Sequence, residues 1–116
     1  MKLIERNYYL NALLAVKDIP DIKVITGVRR SGKSKLMDAL IDNITQEENA
    51  NIVRIKLNLK KNELLLDGDK LYAYIEQQYD EEKNNYLFID EVQLCDGFER
   101  VINSIYEEEL YDIYLT

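Results

Sequence analysis

The sequence has no histidine and one cysteine, Cys95, in 116 residues. These two absences exclude the ordinary zinc and haem sites made from Cys and His, any nucleophilic triad that needs a His base, and an internal disulfide. Proline occurs once, at Pro20, and the four glycines are scattered. There is accordingly no Gly/Ser/Pro linker, and no repeat or low-complexity tract breaks the chain. No apolar run approaches the roughly 18 residues of a membrane span. The apolar stretch at residues 10–16 follows Lys2 and Arg6, but Glu5 and Asn11 interrupt it and no small-x-small cleavage site follows, so it does not make a secretory signal. Positive charge is also scarce: 15 Lys and Arg stand against 22 Asp and Glu, giving a net charge of −7. That balance argues against the clustered cationic footprint of a broad nucleic-acid interface, and there is no direct nucleic-acid signal. The expectation is a reducing, cytoplasmic chain with no membrane span.

A chain of this length is one domain, and a domain of this size buries about two-thirds of its unfolded surface, so it needs no disulfide or metal staple. Its hydrophobic period switches between helical and strand spacing, the pattern of an α/β domain. Residues 6–17 place Tyr9, Leu10, Leu13 and Leu14 on one helical face, closed by Pro20. Residues 23–26 read as a short strand. A helix is expected over 32–45, with Leu36, Leu40, Ile41 and Ile44 on one face. In residues 51–59, Val53, Ile55, Leu57 and Leu59 alternate with Arg54, Lys56 and Asn58, which predicts a strand with one wet face or an edge position. A helix is expected over 69–79. Residues 86–89 are continuously apolar and predict a strand buried on both faces. Asp96-Gly97-Phe98-Glu99 fits a capping box opening a helix that carries Phe98, Val101, Ile102, Ile105 and Tyr106, and residues 112–116 close the chain as a fourth strand.

Gly27-Val28-Arg29-Arg30-Ser31-Gly32-Lys33-Ser34 matches the G-x-x-x-x-G-K-[ST] phosphate-loop pattern, directly after an apolar strand and before an amphipathic helix. The chemistry requires that order. Gly27 and Gly32 let the backbone curl so that successive N–H groups, with Lys35 at the end of the run, point at phosphate oxygens. The helix N-terminus adds partial positive charge. Lys33 is placed to reach the β and γ phosphates, and the Ser34 hydroxyl to ligate Mg²⁺. Arg29 and Arg30 are either solvated loop residues or a local positive potential for a polyanion.

Tyr86-Leu87-Phe88-Ile89-Asp90-Glu91 is an apolar strand that ends in two carboxylates, the Walker B form. A parallel strand delivers its last residues to the sheet edge where ligands of open α/β sheets bind. Asp90 is expected to hold Mg²⁺ through water, because that ion keeps several waters. Glu91 is expected to orient and deprotonate an attacking water. An Asp followed by Glu marks ATPases that carry their own base and insert a strand between the two motif strands. This gives a parallel sheet of order 1-4-3-2 in a three-layer P-loop NTPase sandwich, with residues 51–59 at the far edge.

These residues resemble a group of prokaryotic AAA-type ATPases that carry an uncharacterised C-terminal domain. The likeness rests on Tyr9-Leu10, on Ile25-Thr26 running into the phosphate loop, on Tyr86 to Glu91 extended by Val92-Gln93, and on Phe98-Glu99-Arg100-Val101-Ile102-Asn103. It implies ATP as ligand, Mg²⁺ as cofactor, and Lys33, Ser34, Asp90 and Glu91 in the roles above. It also implies a leading segment around Tyr9 lying against the adenine, although a core aromatic is the commoner explanation of such a residue. Members of the group continue past the fourth strand into a polar sensor residue, a fifth strand, an arginine-bearing helix and a lid. Residues 1–116 are therefore expected to be the N-terminal part of a longer ATPase domain, or a truncated reading frame. With the arginine finger outside the sequence, hydrolysis by this chain is expected to be weak or absent. Strand 1 would be an unprotected edge, and the expectation for it is a homo-oligomer.

Two other classes use the same loop. A small-molecule kinase needs an acceptor pocket and lid and no water-activating Glu91; a non-catalytic switch needs the nucleotide only to order the domain. Cys95 reads as a buried hydrophobe, the nine Tyr as partly buried rings with wet hydroxyls, and Glu107 to Glu109 as a solvated helix face.

Overall fold

The computed structural model describes residues 22–25 and 30–116, with the side chains of 30–34 outside that description. The expected leading helix at 6–17, with Tyr9, lies outside the described residues, as do Gly27, Val28 and Arg29. In chain order the elements are β1 (Lys23–Val24), α1 (Arg30–Thr45), β2 (Ala50–Lys56), a 3-10 segment (Lys60–Leu66), α2 (Gly68–Gln78), β3 (Asn84–Asp90), a 3-10 turn (Val92–Leu94), α3 (Phe98–Glu107) and β4 (Asp112–Leu115). The strands form one sheet of order β1-β4-β3-β2 with every pairing parallel, the order expected from the acidic pair.

Strand alternation decides what covers each face. Tyr86 and Phe88 of β3, Tyr114 of β4 and Ile25 pack under Leu36, Met37, Leu40 and Ile44 of α1. Phe88 and Tyr114 stack with ring centroids 4.7 Å apart. On the opposite face Leu87, Ile89, Val53, Ile55 and Ile113 meet Leu71 and Ile75 of α2 and Val101, Ile102 and Ile105 of α3. The result is an α/β/α sandwich in which residues 86–90 are all buried and edge strand β2 alternates between buried and half-buried positions.

Several boundaries differ from the sequence pattern, each for a local reason. Helix α1 starts at Arg30 rather than at Gly32, so its free N-terminal amides belong to the phosphate-loop sequence. Strand β2 stops at Lys56 although the apolar alternation runs on to Leu59. Leu57 still donates its N–H to the Asp90 carbonyl, but β3 turns away at Glu91, and the Asn62 side chain takes the Lys56 carbonyl at 2.8 Å. Strand β3 begins two polar residues before the apolar run, because buried Asn85 satisfies itself: its amide donates to the Asp80 and Lys83 carbonyls, and its Oδ1 accepts from the Asp80 N–H and the Asn51 side chain. The expected capping box does not form. The cap of α3 is Gly97, at φ 76°, with no side-chain cap bond. Gly97 supplies the left-handed turn that a side chain would resist. Helix α2 does carry a side-chain cap, where Asp67 accepts from the Asp69 N–H at 2.9 Å.

Candidate functional site

At the carboxyl end of the sheet β3 delivers Asp90 on the face that carries α1, because it shares parity with Tyr86 and Phe88. Asp90 is 7% exposed. A carboxylate so placed must be paired, and its partner is Arg54 of neighbouring β2. Arg54 Nε donates to Asp90 Oδ1 at 3.2 Å and Nη2 to Oδ2 at 2.9 Å, a two-pronged contact. The same guanidinium donates through Nη1 to Asp38 Oδ1 on α1 at 2.5 Å. Burial pulls the Arg54 pKa down, but the hydrogen bonds and charges of Asp90 and Asp38 outweigh it and leave the group above its ordinary value. Edge strand, motif strand and α1 are thus joined by one fully charged side chain.

Glu91 occupies the next position with φ 58° and ψ 48°, a left-handed conformation rarely adopted outside glycine. Two contacts hold it there. Its N–H donates to Thr116 Oγ1 at 3.2 Å, and its Oε1 accepts from Gln93 Nε2 at 2.9 Å. Backbone bonds from Thr116 N–H to the Ile89 carbonyl and from Val92 N–H to the Thr116 carbonyl fasten the same turn to the end of β4. Across β4, the Ile25 N–H donates to the Leu115 carbonyl at 2.8 Å. The end of β1, from which the phosphate-loop sequence departs, is therefore level with Asp90 on the same edge. Of the other expected site residues, Arg30, Ser31, Gly32, Lys33 and Ser34 lie in the first turns of α1 with their side chains outside the described atoms, and Lys35 is exposed on α1.

The donor chemistry at Asp90 suits a hard divalent cation. A carboxylate accepts about four hydrogen bonds, and Arg54 takes one from each oxygen, which leaves capacity for metal-bound water. Among the described residues no cluster of three or more His, Cys, Asp or Glu could hold a metal by itself. Cys95 is buried, and burial first, then Asp67 and Asp96, push its thiol pKa up. It stays a protonated thiol, in line with its reading as a small hydrophobe. Sequence reasoning missed Arg54, Asp38, Gln93 and Thr116 as parts of the site. Two of them had a signal: the alternation in β2 put Arg54 opposite the apolar positions, and Gln93 closes the extended motif that follows Glu91.

A parallel sheet of this order between helix layers, with an acidic turn at its carboxyl edge, defines a P-loop NTPase-like α/β domain. The chain belongs to the AAA domain family, whose model matches residues 20–116, and membership makes it a nucleotide-binding type of module. It is similar to an uncharacterised protein of Haemophilus influenzae, at 32% identity over 117 residues. The match covers 98% of this chain and 29% of that protein, so the chain spans under a third of its relative's length. No solved structure matches the chain. Among the described residues no helix is long and apolar enough to cross a membrane.

Proposed function

We propose that residues 1–116 form the N-terminal part of a longer cytoplasmic AAA-type ATPase domain, one that binds ATP with Mg²⁺ and has little or no hydrolysis of its own. The observation that carries this reading is the buried Asp90 and left-handed Glu91 at the sheet edge where β1 ends, just ahead of the phosphate-loop sequence. The amides of residues 27–35 would take phosphate oxygens, and Lys33 would meet the β and γ phosphates as a point charge. Ser34 and Asp90 would hold the cation, which when bound supplies charge neutralisation at the phosphates. Glu91 would accept a proton from the attacking water. Slow turnover follows from the ties on both carboxylates, Asp90 to Arg54 and Glu91 to Gln93. Either tie must yield before its carboxylate acts at full strength.

Release of phosphate by the purified chain, set beside Glu91→Gln, tests this reading. Retained ATP binding with turnover lost in the variant supports a water-activating base. Measurable phosphate release that is equal in both chains contradicts that role, rapid turnover by the parent contradicts the slow hydrolysis, and a phosphorylated acceptor in place of free phosphate would make the chain a kinase. Self-association belongs to the same proposal. Among the described residues β1 pairs only with β4, and Val24 there is 57% exposed. Light scattering is expected to report a species larger than a monomer; a clean monomer at high concentration would remove that part.

A further inference from the structure

Arg54 is the residue at this edge that no motif accounts for. Its guanidinium makes three hydrogen bonds to two carboxylates that differ sharply in setting: Asp90 is buried in the sheet, while the Asp38 side chain on α1 is 56% exposed. A cation fixed at 2.9 Å from Asp90 Oδ2 opposes by its charge any divalent ion that approaches the same carboxylate. Asp38 gives the guanidinium a second place to rest without losing every charged partner.

We propose that Arg54 is an exchangeable counter-ion for Asp90, gripping it while the site is metal-free and moving wholly onto Asp38 when a divalent cation arrives with the nucleotide. The proposal rests on the reading of Asp90 as a metal-site residue. Arg54 is then a positioning residue that sets how much cation the site requires. Because Arg54 lies on β2 and Asp38 on α1, the exchange also changes the link between edge strand and helix, and so couples metal occupancy to the packing of β2.

The decisive quantity is the ratio of ATP affinity with Mn²⁺ to ATP affinity with a chelator present, measured by calorimetry on the full chain. This ratio isolates the metal's share of binding and involves no turnover. Arg54→Gln is expected to raise the ratio by about tenfold, the size of a close charge-pair coupling. Asp38→Asn removes the alternative resting place and is expected to lower it several-fold. Arg54→Lys keeps the charge without the two-pronged grip and is expected to fall between the parent and Arg54→Gln. An unchanged or reduced ratio in a folded Arg54→Gln chain overturns the proposal. If that variant fails to fold, Asp38→Asn decides alone, since its side chain is exposed and an unchanged ratio there is equally fatal. Asp90→Asn separates the two claims: a ratio that survives it refutes the metal role of Asp90 itself, whatever Arg54 does.

Discussion

Glu91 carries the clearest conflict between stability and chemistry. Its left-handed backbone costs on the order of 1 kcal/mol relative to glycine at such a φ, and the exposed hydrogen bond from Gln93 to its side chain repays little of that. Glu91→Gly is expected to raise the unfolding free energy by about 1 kcal/mol while removing the proposed base; a lower denaturant midpoint would contradict the strain argument. Asp90 has the opposite sign. Removing its charge leaves Arg54 charged and held only by Asp38, so Asp90→Asn is expected to cost about 2 kcal/mol in the ligand-free chain. An unchanged midpoint would mean that the pair is worth no more than an exposed ion pair.

Among the elements, α2 shows how tertiary contacts finish what local sequence begins. Its last turn leaves carbonyls without helical donors, and two distant side chains supply them: Tyr111 Oη donates to the Ile75 carbonyl at 2.7 Å and Asn51 Nδ2 to the Gln78 carbonyl at 2.8 Å. At the other end, Gly68 lets the start of α2 touch the turn before α3, where an added Cβ would lie 2.8 Å from the Asp96 carbonyl oxygen. Gly68→Ala gains about 1 kcal/mol of helix propensity, but the contact is backbone on both sides and cannot swing away. The expected net result is a loss of about 1–2 kcal/mol, and a gain in thermal midpoint would show that the turn relaxes. Periodicity made legible what is set by repeated burial: α1, α2, α3, buried β3 and the alternating edge strand β2. It did not show the 3-10 segment at Lys60–Leu66 or the glycine cap of α3, because those depend on where a partner strand ends and on a single backbone angle. The acidic pair was legible as a motif. Its counter-ion was not, since nothing in sequence spacing links Arg54 to Asp90 and Asp38 until the sheet register brings them together.

For the whole molecule, Tyr111 ties sheet and helix layers into one pH-dependent unit. Burial first, then Tyr79 and Tyr74, push its hydroxyl from an ordinary 10.0 up to about 12. The fold therefore favours the protonated form. This contribution is complete below pH 10 and is lost as pH rises through about 12, so the unfolding midpoint should fall more steeply across that window in the parent than in Tyr111→Phe. Parallel pH profiles would refute it. The proposed function is that this acidic domain binds ATP through its phosphate-loop sequence together with Asp90. A calorimetric titration of the purified chain with ATP and Mg²⁺, run beside Lys33→Ala, tests it most directly. Binding in the parent that disappears in a folded Lys33→Ala chain is the predicted result; no binding to the folded parent, or equal binding to both, would contradict it.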